Sequence, residues 1–333
     1  MSGIEWTDTT WQVTAGCEKV SSGCANCYAE TMAGRLEGMA KADLDAGRDP
    51  KGKGVYLHVL NDTGKWNGRV LTLPDRLAEP LTWKKPRRVF VNSMSDMFYE
   101  GVSFDFVDRV WAVMALCPQH TFQILTKRPE RMATYLNRRG ADVAHYDALW
   151  KFSDAYPHVA NRLPESPESG DLWPLPNVWL GTSVEDQKAA DQRIPCLLRC
   201  PAAVRFLSCE PLLGPIVNQS GQRNWTDGMD WVIVGGESGP QARPCDVGWI
   251  RGVVGQCREA GVPVFVKQLG AAPFYVDEPA KRCGGAVAIS AHALAFGGWD
   301  HTGPMCRDRK GGDPAEWPED LRVREWPRVG GEA

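Results

Sequence analysis

Arg88-Val-Phe-Val-Asn92 and Thr121-Phe-Gln-Ile-Leu125 are two short runs that are rich in apolar and β-branched residues. Between them lies a segment, residues 104–117, in which apolar residues recur at helical spacing. A strand, a helix and a second strand in close succession are typical of a parallel βαβ unit. This stretch therefore predicts a parallel sheet with helical crossovers.

The same alternation continues toward the C-terminus. Further strands are predicted at residues 177–181, 204–207, 230–234 and 263–266, and further helices at residues 129–138, 185–199 and 247–260. One more helix is predicted before the first of these strands, at residues 74–83. Four of the five intervals between strand starts are roughly thirty residues, as βα units require. With a strand before Cys17 there are about seven strands, and their continuous apolar runs indicate a sheet covered on both faces. We expect an α/β fold, a partial or irregular (β/α) barrel with parallel strands, rather than an open doubly wound sheet.

The domain organisation follows from length and local composition. A chain of 333 residues suits one elaborated domain, which we predict at residues 1–270. Polar stretches near residues 40–70 and 141–176 interrupt the alternation and are interpreted as insertions. Residues 271–333 are Gly-rich and end in Trp, Pro and acidic residues, which predicts an extension packed on the barrel.

Composition excludes some classes of protein. The net charge of −3 argues against a strongly basic nucleic-acid binder, although 14 tryptophans and local Lys/Arg clusters leave base stacking open. No apolar run approaches the roughly eighteen residues that span a bilayer, so no membrane contact is expected. The N-terminus lacks the pattern of a signal peptide, and the cytoplasm is the expected location.

Three cysteines, Cys17, Cys24 and Cys27, fall on one polar loop between a strand and a helix. Packing thiols are usually scattered on apolar faces, and disulfides need an oxidising compartment, so metal binding is the leading interpretation. A structural zinc site needs a fourth ligand, which His58 or a distant cysteine could supply. A 4Fe-4S cluster held by three thiolates would keep one iron open. Both alternatives stay open on the residues alone.

Polar and ionisable residues follow nearly every predicted strand. The carboxyl ends of parallel strands form the active-site edge of barrels and open α/β sheets, so we expect these residues to face a common site. The endings are Ser93-Met-Ser-Asp96, Thr126-Lys127-Arg128, Thr182-Ser183-Val-Glu185, Ser208-Cys209-Glu210, Gly235-Gly-Glu237-Ser and Lys267-Gln268.

Several blocks resemble the phage Gp37/Gp68 family, a domain of unknown function with a three-Cys motif, and the cysteine loop resembles that of radical S-adenosylmethionine (SAM) enzymes. The blocks are Trp11-Gln-Val-Thr-Ala-Gly-Cys17, Gly23-Cys24-Ala-Asn-Cys27-Tyr-Ala-Glu30, Val91-Asn-Ser-Met-Ser-Asp-Met-Phe98, Leu125-Thr-Lys-Arg-Pro129, Gly235-Gly-Glu-Ser-Gly239, Lys267-Gln-Leu-Gly270 and Gly311-Gly-Asp-Pro-Ala-Glu-Trp-Pro-Glu-Asp-Leu321. Two features depart from the radical SAM pattern. Six residues rather than three separate Cys17 from Cys24, and Asn26 rather than an aromatic residue precedes Cys27.

The radical SAM resemblance implies a 4Fe-4S cluster on the three cysteines and SAM on the open iron. It implies that the cofactor is bound by Ser93 and Asp96 at its amino group, by Ser183 and Glu185 at its ribose or carboxylate, and by Tyr28. Residues expected to face the substrate or to handle protons are Glu210, Cys209, Lys127, Lys267 and Glu237.

The activity implied is generation of a 5′-deoxyadenosyl radical that abstracts hydrogen from an unknown substrate, for which a nucleobase or nucleic acid is the first expectation. The implied partners are an electron donor such as flavodoxin or ferredoxin and, from the phage family, a three-Cys-motif partner protein. The alternative is a non-catalytic metal-binding module, with zinc or an iron–sulfur cluster, in a phage protein complex.

Overall fold

The computed structural model describes residues 4–138, 141–156, 174–221, 223–274 and 308–327. The chain divides into two compact units. Unit 1 comprises Met1–Thr182 and Cys196–Ala203, and unit 2 comprises Ser183–Pro195 and Val204–Ala333. The boundary expected near residue 270 is a different division, and it stays a prediction.

The strands and helices lie close to the predicted positions. The strands are β1 (Thr9–Trp11), β2 (Thr14–Ala15), β3 (Leu71–Thr72), β4 (Arg88–Val91), β5 (Thr121–Thr126), β6 (Val178–Ser183), β7 (Val204–Cys209), β8 (Trp231–Gly235), β9 (Cys245–Asp246), β10 (Val264–Gln268) and β11 (Pro273–Phe274). The α-helices are α1 (Tyr28–Asp45), α2 (Phe104–Ala115), α3 (Pro129–Leu136), α4 (Ala141–Ala155), α5 (Gln187–Leu198) and α6 (Val247–Ala260).

Seven strands form one sheet in the order β1-β4-β5-β6-β7-β8-β10. This order follows the chain, and the pairs β1–β4, β4–β5, β5–β6, β7–β8 and β8–β10 are parallel. A doubly wound sheet reverses its strand order at a switch point, and this sheet does not. The predicted parallel α/β sheet of about seven strands is confirmed, and the strand order excludes the doubly wound alternative.

In unit 1, buried aromatic residues pack against the sheet. The Trp11 and Phe122 ring centroids lie 5.6 Å apart, and those of Trp111 and Tyr135 lie 5.1 Å apart. Helix α2 begins where the Ser103 hydroxyl accepts a hydrogen bond from the N–H of Phe106. Such a cap satisfies an N–H that has no partner within the helix. The core of unit 1 is therefore built from the predicted apolar runs and the faces of their crossover helices.

The stretches interpreted as insertions contain more regular structure than expected. Helix α1 continues to Asp45, and a 3-10 helix follows at Lys51–His58. Helix α4 occupies residues 141–155 of the second stretch, while residues 157–173 lie outside the described residues. Residues 74–83, predicted to form one helix, instead form two 3-10 turns, because Pro80 lacks an N–H and cannot continue an α-helix.

Unit 2 is built on β7, β8 and β10, with α6 as a crossover helix. Asp246 caps the start of α6 by accepting from the N–H of Gly248, and the helix ends at Gly261 in the left-handed conformation. Most of the predicted extension, residues 275–307, lies outside the described residues. Residues 308–327 bond to β10, with Val266 N donating to Val323 O and Glu325 N donating to Val264 O.

Among the helices that the structure describes, none combines the length and the apolarity that a membrane crossing requires.

Candidate functional site

The cysteine loop joins β2 to α1 in unit 1. Cys17 follows β2 by two residues, Cys24 ends a 3-10 turn, and Cys27 is the N-cap residue of α1. Gly16 has φ of 92°, and a Cβ at this position would lie 2.1 Å from the carbonyl oxygen of Arg69. Glycine is therefore required immediately before the first cysteine.

The three thiols lie within electrostatic reach of one another. Burial raises the pKa of the Cys17 thiol to about 12, and the charges of Asp96, Cys27 and Cys24 add to the rise, while Arg128 opposes it. All three cysteines are half-buried and free of disulfides. The loop thus gathers three soft donors of the type that binds iron–sulfur clusters and zinc.

The fit of a metal to this loop is incomplete as the side chains stand. Across the described ranges, no three His, Cys, Asp or Glu side chains are arranged so that they could hold a metal ion. His58, considered as a fourth ligand, is exposed at the end of its 3-10 helix. The thiols fit a cluster by donor type, and binding would require the loop to draw them together.

Asp96 accepts four hydrogen bonds from the chain. Its Oδ1 accepts from the N–H of Phe98 and from Thr126 Oγ1, at 3.0 and 2.7 Å. Its Oδ2 accepts from the N–H of Lys127 and from Arg128 Nη1, at 3.1 and 3.2 Å. A carboxylate offers about four acceptor positions, so the protein itself satisfies this group.

Glu30, on the first turn of α1, holds the loop from its other side. Its buried carboxylate accepts from Lys19 Nζ in the loop at 3.1 Å and from Lys65 Nζ at 3.0 Å. It also accepts from the N–H of Trp66 at 3.0 Å. Burial alone would raise the pKa of Glu30, but these three donors outweigh it and lower the pKa overall. Glu30 therefore joins the cysteine loop to the segment after the 3-10 helix.

Tyr28 and Ser93 meet beside the loop. The Tyr28 hydroxyl donates a short hydrogen bond to the carbonyl oxygen of Ser93, while the Tyr28 side chain is 55% exposed. Gln12 Nε2 donates to Ser93 Oγ at 2.5 Å. Asn92, in the left-handed region at φ of 60°, accepts from the N–H groups of Val13 and Thr14. The end of β4 thus supports the chain that leads into the cysteine loop.

The predicted carboxylates of unit 2 form ion pairs with basic residues. Glu185 and Glu237 are buried, and Glu210 is nearly so. The pairs are Glu185 with Arg193 Nη1 at 2.8 Å, Glu210 with Lys267 Nζ at 3.0 Å and Glu237 with Arg243 Nη2 at 2.6 Å. The carbonyl oxygen of Ser183 also accepts from Arg193 at 2.8 Å.

Cys209 lies fully buried at the end of β7. Burial raises the pKa of its thiol well above the ordinary value, and the charges of Cys257, Glu210 and Glu185 add to the rise. A nucleophilic or acid–base thiol is normally more accessible and has a lowered pKa. These surroundings favour a packing role for Cys209 over the predicted catalytic one.

Sequence reasoning overlooked the residues that support the predicted site. Arg128 is expected from the sequence only as one of several polar residues after the strands, yet its side chain is only 7% exposed and pairs with Asp96. Glu30 was noted only within a family block. The signal available for Arg128 was its place two residues after a buried strand, and that signal alone does not distinguish an internal pair from a solvated one.

The model of one protein family covers most of the chain. The family described as "Protein of unknown function (DUF5131)" matches residues 1–291 of the chain. No curated protein and no solved structure matches this chain. Since the match covers most of the sequence and includes the cysteine loop, the chain belongs to the family of proteins of unknown function DUF5131.

Proposed function

We propose that this protein binds a 4Fe-4S cluster through Cys17, Cys24 and Cys27 and uses SAM at the fourth iron, in the manner of radical SAM enzymes. One observation carries the proposal. Three half-buried thiols share one short loop, at the carboxyl side of the first strands of a parallel sheet whose order follows the chain. Three thiolates and no fourth would leave one iron available to a ligand.

Within this proposal the chain has defined tasks. The three thiols hold the cluster, which when reduced would supply one electron for cleavage of SAM. The exposed Tyr28 ring, tethered through its hydroxyl to Ser93, offers a flat apolar surface beside the cysteines. Such a surface suits an adenine ring. Lys19 and Glu30 hold the loop on the side of α1.

The roles of the residues that would face the substrate are also proposals. Glu210 and Lys267 form a pair in which Lys267 is 25% exposed, and such a pair could exchange a proton with a bound molecule. Lys127 and Glu237 are assigned to the substrate on position alone. The nucleobase substrate, the phage origin, the electron donor and the three-Cys-motif partner protein belong to the same proposal and await their own tests.

The test is anaerobic reconstitution with iron and sulfide, followed by electron paramagnetic resonance of the reduced protein with and without SAM. We expect a reduced-cluster signal that changes when SAM is added. Cys17→Ala should abolish cluster binding. Cys196→Ala removes a half-buried cysteine outside the loop that forms no disulfide, and it should leave binding unchanged. Stoichiometric zinc, or a signal indifferent to SAM, would contradict the proposal and favour the non-catalytic metal-binding module.

A further inference from the structure

The Arg128 guanidinium is buried between the end of β5 and the cysteine loop. It donates from Nη1 to Asp96 Oδ2 at 3.2 Å and from Nη2 to the carbonyl oxygen of Glu18 at 3.3 Å. Its Nε lies 3.4 Å from Glu100 Oε2, and its carbon lies 5.1 Å above the Tyr99 ring. One nitrogen of the guanidinium is therefore bonded to Asp96, and another is bonded to the residue after Cys17.

Asp96 makes this arrangement rigid. Its four acceptor positions are taken by donors that lie outside the cysteine loop. These donors belong to Phe98, Thr126, Lys127 and Arg128. It therefore has little capacity left for the amino group of a cofactor. A charge-assisted hydrogen bond from a fixed guanidinium to a loop carbonyl contributes more than one between neutral groups.

The charge of Arg128 also matters at the thiols. Arg128 Nη2 donates to the carbonyl oxygen of Glu18, the residue that follows Cys17. The positive charge of the guanidinium therefore lies beside the first cysteine of the loop. A positive charge beside thiolate ligands stabilises the more negative, reduced form of a cluster.

We propose that Asp96 and Arg128 are a positioning pair for the cysteine loop. Asp96 fixes the guanidinium, and the guanidinium fixes the loop through Glu18 and places a positive charge beside Cys17. The role in holding the loop concerns the metal-free protein. The role in setting the reduction potential rests on the proposed function.

The experiment begins with the metal-free protein. Amide hydrogen exchange is measured in the loop, where the N–H groups of Cys24 and Ala25 bond to Ser21 and Ser22. In Arg128→Met we expect these amides to exchange about tenfold faster, the effect of losing one charge-assisted hydrogen bond. Unchanged exchange in the loop would overturn the proposal, whatever metal the protein binds.

A matched control removes a different Arg–Asp pair of unit 1. Arg88 Nη2 lies 3.0 Å from Asp8 Oδ1 at the first residue of β4, and both side chains are partly exposed. Arg88→Met makes the same substitution without a contact to the cysteine loop, so loop exchange should match that of the wild type. Equal acceleration in both variants would mean general loosening of unit 1 and would also overturn the proposal.

The second readout is the midpoint potential after reconstitution. We expect a more negative potential in Arg128→Met and a potential near that of the wild type in Arg128→Lys, which keeps the charge. Arg128→Lys cannot span both Asp96 and Glu18, so its loop should still exchange faster. If Arg128→Met does not fold, the lysine variant carries the exchange test.

The two proposals fail differently. A wild-type protein that takes up no iron and sulfide overturns the proposed function, while the exchange result still decides whether Arg128 holds the loop. A wild-type cluster whose potential is unchanged in Arg128→Met overturns the electrostatic part of this inference and leaves the proposed function standing.

Discussion

The two units use buried carboxylates in different ways. In unit 1, Asp96 and Glu30 each accept from several donors, and some of these donors are backbone N–H groups or residues of the cysteine loop. In unit 2, Glu185 pairs with Arg193, Glu210 pairs with Lys267, and Glu237 pairs with Arg243, which also donates from its backbone N–H. Asp96 and Glu30 bond to residues 30 and 36 positions away in the chain, whereas Glu185 and Glu237 bond to arginines 8 and 6 positions away.

This difference has a physical cause. Backbone groups in strands and helices bond to one another, whereas those of an irregular loop need side chains as partners. Residues 16–27 contain only one short 3-10 turn, so unit 1 depends on Arg128, Glu30 and Asn92 to hold the chain around the cysteines. In unit 2, Glu237 accepts from the backbone N–H of Arg243, only six residues away, so this bond is local.

The largest effect is expected from Asp96→Ala. The substitution leaves Arg128 buried without its counter-ion and removes the acceptor of Thr126 Oγ1, so we expect a loss of about 3–5 kcal/mol in the free energy of unfolding. Urea unfolding measures it. Glu210→Ala, which removes a carboxylate from a pair with the partly exposed Lys267, is the matched variant of unit 2. An equal or larger loss in Glu210→Ala would contradict the claim that buried carboxylates contribute more to stability in unit 1 than in unit 2.

Glu30→Gln should have the next largest effect. The amide keeps the size of the side chain but loses the charge that Lys19 and Lys65 bind, and we expect a loss of about 1–3 kcal/mol. The control is Glu37→Gln on the same helix, whose partner Lys41 lies at i+4 and is exposed. There the loss should be about 0.3–0.5 kcal/mol. Similar losses in both variants would mean that Glu30 acts as an ordinary surface pair.

The contribution of Glu30 should also depend on pH. Because its folded pKa lies below the ordinary value of 4.5, its stabilisation is present above that value and is lost as pH falls through the folded pKa. We therefore expect the stability difference between the wild type and Glu30→Gln to shrink as the pH falls from neutral to below 4.5. A difference that stays constant over this range would show that the charge of Glu30 does not stabilise the fold.

The smallest effect is expected from Asp8→Asn, in the partly exposed pair of unit 1 with Arg88. Exposed ion pairs contribute about 0–1 kcal/mol and are screened by salt, so a small loss that disappears at high ionic strength is expected. Thermal unfolding at low and high salt checks it. A loss as large as that of Asp96→Ala would mean that location in unit 1, and not the number of donors, decides the importance of a carboxylate.

The sheet could be predicted because its signal is local. Apolar runs such as those at Val89–Val91 and Val232–Val234 are buried on both faces, and the intervals between them fix the parallel direction. The prediction of one helix at residues 74–83 was wrong because it did not take Pro80 into account. Pro80 has no N–H to donate within an α-helix, and the segment forms two 3-10 turns. The position of the cysteine loop could also be predicted, since its polar residues and turns lie between a strand and a helix.

The supports of the loop could not be predicted, because they join distant parts of the chain. Asp96 meets Arg128 across 32 positions, and Glu30 meets Trp66 across 36. A charged residue after a strand reads the same in sequence whether it faces solvent or an internal partner. Asn92, which has a left-handed backbone, likewise accepts from the N–H groups of Val13 and Thr14, about 80 positions earlier in the chain.

Gly16 has a consequence for shortening this protein. Its backbone lies against the carbonyl oxygen of Arg69 and the side chain of Val59, and β2 pairs with β3 at Leu71. Residues 59–72 therefore contact the backbone immediately before the first cysteine and fix its position. A shortened protein that lacks the stretch near residues 40–70 would lose contacts that position the loop. The stretch is therefore a structural part of the cysteine site.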